Sequence, residues 1–112
     1  MDARLPAHLE VAGLIRAVEI AGGFALVVNK GERDAGTIMV VITEKGENSR
    51  AYERMPEMDG TRQWRCVKKQ DAENKNEFSE YLSRRSGQDQ DLWIVELDVA
   101  QGERFIGLVK DS

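Results

Sequence analysis

A chain of 112 residues with 41% hydrophobic and 32% charged side chains is sized and composed for one globular domain, residues 1–112, and not for two or for a disordered tail. Its net charge of −4 opposes general affinity for nucleic acid or anionic membrane. A single cysteine, Cys66, rules out an intrachain disulfide and a cysteine-based structural zinc site. The opening Met1-Asp2-Ala3-Arg4-Leu5-Pro6 lacks the basic start and apolar run of a secretory signal. The longest uncharged stretch, Ile20 to Asn29, is far shorter than the about 20 residues of a membrane span, so a cytoplasmic protein with no membrane partner is expected.

Pro6 suits the first turn of a helix, where its missing N–H costs nothing. Val11, Leu14, Ile15 and Val18 then recur at helical spacing, and Gly22-Gly23 supplies a helix end. Phe24 to Val28 and Thr37 to Thr43 are short apolar runs rich in β-branched residues, read as two interior strands joined in an antiparallel hairpin. Lys45 to Asn48 is a turn into a more polar strand, Ser49 to Met55, and Asp59-Gly60 is a turn into a fourth strand, Arg62 to Lys68. Asp71 is the expected cap of a second helix that buries Phe78, Tyr81 and Leu82 and ends near Ser86-Gly87. Leu92 to Val99 alternates, with Trp93, Val95, Leu97 and Val99 on one face and Leu92, Ile94, Glu96 and Asp98 on the other. Arg104 to Val109 reads as a last short strand or a helical turn. The expected fold is α+β: a mostly antiparallel five- to six-stranded sheet in the order α-β-β-β-β-α-β, with two helices packed on one face.

The signatures of catalysis are missing. Gly22-Gly23 leads into a strand without a following Gly-Lys-Ser/Thr, and no Gly-x-Ser-x-Gly elbow occurs. His8 is the only histidine and reads as an exposed residue at a helix start, while Cys66 beside Trp64 reads as a small buried hydrophobe. No cofactor, catalytic residue or metal site is expected. Asp89, Asp91, Glu96 and Asp98 form an acidic cluster whose plainer reading is a charged edge rather than a cation site. The loop Gly31-Glu32-Arg33-Asp34-Ala35-Gly36 sets three charges between two glycines, on a rigid sheet where binding groups tend to sit. Residues 61–87, with 7 basic and 4 acidic side chains, are the only basic segment; Arg62, Arg65 and Lys68 there could meet phosphates beside Trp64.

Two stretches carry a resemblance. One runs from Leu14-Ile15-Arg16 through Gly23-Phe24-Ala25 to Lys30-Gly31-Glu32-Arg33-Asp34-Ala35-Gly36. The other joins Tyr81-Leu82-Ser83-Arg84-Arg85 to Asp89-Gln90-Asp91-Leu92-Trp93-Ile94-Val95-Glu96. Together they resemble, over most of the chain, a family of small bacterial proteins known as a domain of unknown function. Members often carry proline where this chain has Gln90, and Asp where it has Glu32. The resemblance implies no activity, but it marks candidate binding residues inside the familiar stretches: Arg16, Glu32, Arg33, Asp34, Arg84, Arg85, Asp89, Asp91 and Trp93. Arginines paired with aspartates across the helix–strand connection would explain part of the set structurally.

The sequence therefore points to a non-enzymatic protein-interaction or regulatory module whose partner is itself or another protein, by strand addition or face-to-face packing. One alternative is a small nucleic-acid-binding protein using residues 61–87. Another is an enzyme acting on an anionic small molecule gripped by Arg84 and Arg85 beside Asp89 and Asp91.

Overall fold

The computed structural model describes residues 5–56 and 58–108; Met1 to Arg4, read above for a signal, and Val109 lie outside them. The elements are α1 (Ala7–Ile20), β1 (Phe24–Asn29), β2 (Ile38–Glu44), β3 (Glu47–Pro56), β4 (Arg62–Lys69), α2 (Lys75–Gln88), β5 (Trp93–Asp98) and a 3-10 helix (Gly102–Ile106). The helix periodicity and the Gly22-Gly23 stop give α1 as expected. Gly23 N–H donates to the Val18 carbonyl and Gly22, at φ 88°, to that of Glu19, a Schellman closure. For α2 the cap is Asn74 rather than Asp71: the Asn74 side chain accepts from Glu77 N–H, while Asp71 shapes the turn before it by accepting from Glu73 N–H.

The five strands lie in the order β1-β5-β2-β3-β4. β5 runs parallel to β2 and antiparallel to β1; the other neighbours are antiparallel. The expected β1–β2 hairpin is thus opened by β5, which takes the place between them. The physical reason is two-sided burial. β5 and its lead-in set Leu92 and Ile94 on one face and Trp93, Val95 and Leu97 on the other, all buried, with Glu96 and Asp98 only toward its end, and a central place covers both apolar sets. β1 is displaced to the edge, so its apolar run is not the interior strand the sequence suggests: Phe24, Leu26, Val27 and Val28 are all exposed.

The helices pack on opposite faces, not on one. α1 and the 3-10 helix cover Ile38, Val40, Ile42, Tyr52, Trp93, Val95 and Leu97 with Val11, Val18 and Ile106. α2 covers Met39, Val41, Ala51, Leu92 and Ile94 with Phe78, Tyr81 and Leu82. The alternation of β2 and β5 already divides these sets; the sequence lacked only the strand order that gives each face its own helix. Residues 102–106 resolve the last ambiguity as a 3-10 helix. Cys66, expected to be buried, is exposed on the outer strand β4. No helix among the described residues is long and apolar enough to cross a membrane.

Candidate functional site

The two familiar stretches meet at one place, and what they build there is a backbone lock. Asp91 C=O accepts from Glu32 N–H at 3.0 Å, and Glu32 C=O accepts from the Trp93 indole N–H at 2.7 Å. Asn29 Nδ2 donates to Leu92 C=O at 2.8 Å, and Trp93 N–H donates to Thr37 C=O at 2.8 Å. The bracket of glycines has a steric cause: a Cβ on Gly31 would stand 2.1 Å from Asp91 O, and one on Gly36 would stand 2.4 Å from the same atom. The loop spans the width of β5 and clasps its entry. Its far side finishes α1, because Asp34 C=O and Arg33 C=O accept from the N–H groups of Ala7 and His8, both at 2.9 Å. His8 Nδ1–H also donates to Arg33 C=O at 3.1 Å.

This placement accounts for much of the candidate set. The Glu32 carboxylate is turned inward on its own loop, accepting from the N–H groups of Asp34 and Ala35. Trp93 is buried and its indole N–H is committed. Asp89 ends α2 and accepts from Asp91 N–H, fixing the turn into β5. Arg85 pairs with Glu53 of β3 and not with an aspartate across the connection. Among the described residues no ion pair joins Arg84 or Arg85 to Asp89 or Asp91. Arg16, Arg33, Asp34 and Arg84 are exposed on three separate elements: α1, the loop and α2. Among the described residues no group of three or more His, Cys, Asp or Glu is placed to hold a metal ion.

Two charged constellations were invisible in the sequence. The first is buried: Arg50, 7% exposed, meets Glu103, 3% exposed, through Nε–Oε2 at 2.5 Å and Nη2–Oε1 at 2.8 Å, and Tyr52 OH donates to the same carboxylate at 2.7 Å. The Arg50 hydrogen bonds, helped by Tyr52, hold the Glu103 carboxyl down at about 2. Burial, reinforced by the Glu103 hydrogen bond, pushes the Tyr52 phenol up to about 12. The second lines a cleft of about 630 Å³ between the start of α1, residues 34–37 and β3. Arg54 there forks onto Glu10 at 2.7 and 2.9 Å and stacks on Trp64, 4.8 Å from the ring centre. Its charge is already answered, and Arg62, which also lines the cleft, is not without a partner, so the cleft offers an anion little.

What the structure leaves open is the β1 edge. Phe24 is 75% exposed, Leu26 50%, Val28 47% and Val27 39%, and no charged side chain lies among them. The backbone there is also unpaired. Trp93 and Val99 donate to Thr37 and Thr43, so the odd residues of β5 face β2 and its even residues face β1. The register Phe24–Asp98 and Leu26–Glu96 therefore carries the β1–β5 bonds, leaving the N–H and C=O of Ala25 and Val27 pointing outward. The sequence signal of this is the uncharged Ile20 to Asn29 run, too short for a membrane span and expected above to hold an interior strand.

The chain matches the family model described as "Protein of unknown function (DUF1491)" over residues 5–107. A DUF1491 family protein from Caulobacter crescentus CB15, solved by crystallography, is similar at 30% identity and a TM-score of 0.79, covering 93% of this chain and 96% of that one. Protein Atu0922 from A. tumefaciens, a solution structure, is 29% identical with a TM-score of 0.75, covering 98% of both chains. No curated protein matches.

Proposed function

We propose a non-catalytic role for this chain, which belongs to the DUF1491 family of proteins of unknown function: it is a cytoplasmic interaction module that docks a polypeptide along β1. The observation that carries the reading is the open β1 edge, where outward Ala25 and Val27 backbone groups are flanked by exposed Phe24, Leu26 and Val28. Edge strands are normally blunted by lysine, proline or a covering element, and a strand left bare is a template for another. The chemistry-bearing candidates support no rival of equal strength. Glu32, Asp89 and Trp93 hold the lock, and Arg85, Lys68 and Lys75 are paired with Glu53, Glu77 and Glu47. Nor is Arg62 or Arg65 without a partner, which weakens the case for phosphate binding by residues 61–87.

The test compares tagged wild type with Leu26→Lys, at native expression level in cells of origin, after circular dichroism shows both folded. The expected result is a stoichiometric polypeptide, a differently tagged second copy included, held by wild type and lost from the variant. An identical set of retained proteins for both, or none for either, would overturn the proposal.

A further inference from the structure

Resting on that reading, we infer that the polypeptide docked on β1 is a second copy of this chain, paired antiparallel about a two-fold axis through Leu26. The outward groups sit symmetrically about that residue. With Leu26 opposite Leu26 of the second copy, Ala25 of each chain meets Val27 of the other, and both members of each pair have N–H and C=O facing out. Each such pair exchanges two hydrogen bonds, so one register satisfies the outward groups of both residues at once. The side chains agree with the backbone. Two Leu26 side chains meet at the centre in a non-hydrogen-bonded pair, where side chains approach closest, and Phe24 falls toward the Val28 end of the other strand, where the bulge begins.

Charge favours the same occupant. The strand carries none between Phe24 and Val28, so pairing it with itself sets no like charges face to face, although each chain carries −4 overall. Glu96 and Asp98, beside Leu26 and Phe24 on β5, would lie about three strand spacings, roughly 14 Å, from their counterparts across the axis, where salt screens them. Area sets the strength. The exposed parts of Phe24, Leu26, Val27 and Val28 come to roughly 350–400 Å² per copy. With backbone, two copies withdraw on the order of 1,000 Å² from water, the low end for specific association, so a dimer dissociating in the micromolar range is expected.

The experiment is sedimentation equilibrium on the full chain from about 1 to 500 µM, a range set by that expected strength, with hydrogen exchange at both ends. The monomer–dimer transition should fall inside the range, with the Ala25 and Val27 amides slowing at least tenfold in the dimer and those of Phe24 and Leu26 protected throughout. Val27→Pro removes an N–H that the β1–β5 ladder does not use, so it should stay folded and shift the transition at least tenfold upward. Register is read with Leu26→Cys in a Cys66→Ser background. Opposed residues of a non-hydrogen-bonded pair lie about 4.5 Å apart at Cα, within disulfide reach, so oxidation should cross-link position 26 and not Ile20→Cys. A chain monomeric at the highest concentration, or a dimer indifferent to Val27→Pro and uncrosslinked at 26, would overturn the inference. If the monomer nevertheless retains a different polypeptide that Leu26→Lys releases, self-pairing fails and the interaction-module reading stands.

Discussion

Along β4 the chain sets Arg62, Arg65, Lys68 and Lys69, whereas β1 runs from Phe24 to Val28 without a charge. Both strands are edges of the same sheet. β4 is guarded in the way edges usually are, with cations standing where a neighbouring strand would approach. The guard is tied down from behind: Lys68 reaches Glu77 of α2, and Trp64 on the other face lies under Arg54. β1 has neither charge nor cover, and its bulge between Val27 and Asn29 comes only at the end of the strand. The two ends of this sheet are thus held by different physics, ionic at β3–β4 and apolar at β1–β5, and one end is left available.

The β3 half should suffer most from loss of the carboxylate that its buried cation depends on. Arg50 is buried and carries its charge into the core against Glu103. Glu103→Ala leaves that charge with only the more exposed Glu44, at 3.0 Å, and should cost about 3 kcal/mol in denaturant unfolding, a large share of the roughly 5–15 kcal/mol of a domain. A loss below about 1 kcal/mol would show that the existing Glu44 pair, with water, suffices for Arg50. The same pair predicts the acid limb. Folding lowers the Glu103 carboxyl from 4.5 to about 2, so its contribution is present above pH 4.5 and lost as pH falls from there toward 2. Tyr52 works in the opposite direction: its raised value makes its contribution complete below pH 10 and lost as pH climbs toward 12. Thermal unfolding against pH should show both limbs in wild type and a flattened acid limb in Glu103→Gln.

Next in size is the lock that sets β1 beside β5. Gly31→Ala would drive a Cβ into the Asp91 carbonyl, which is backbone and cannot swing aside. A destabilisation of about 1–3 kcal/mol is expected, together with loss of the hydrogen-bonded environment of the Trp93 indole N–H in NMR spectra. Gly13→Ala is the contrast, since nothing lies within 4 Å of its new methyl in the middle of α1. There the same chemical change should stabilise by about 0.5–1 kcal/mol. Equal effects at the two positions would remove the steric account of the lock.

How much of this was legible depended on whether the information was local. The face assignments of Trp93, Val95 and Leu97 against Leu92 and Ile94 follow from a period of two, and the Gly22-Gly23 stop follows from one turn of helix; both were readable. The glycine-bracketed loop was recognisable as special, but its cause was not, because Asp91 O is sixty residues away in sequence. Arg50 and Glu103 are 53 apart, and nothing near either predicts the other. The misplaced β1 shows the same limit: an apolar run announces a strand, but β1 is no less apolar than β5, so composition alone does not decide which of them goes inside.

The gentlest test reverses the asymmetry instead of destroying either half. Arg65→Val with Lys69→Val strips two exposed cations from β4 and, with the interaction that Arg65 makes lost as well, should change the unfolding free energy by no more than about 1 kcal/mol. Association is what should move. With β4 thinned to Arg62 and Lys68, each molecule has two open edges, so a closed pair becomes an open chain and light scattering should rise with concentration. Adding Leu26→Lys to that variant closes the β1 end again and should cut growth off at small species. If scattering stays flat when the β4 cations are removed, charge is not what keeps β4 apart, and the bareness of β1 loses its meaning as a docking signal.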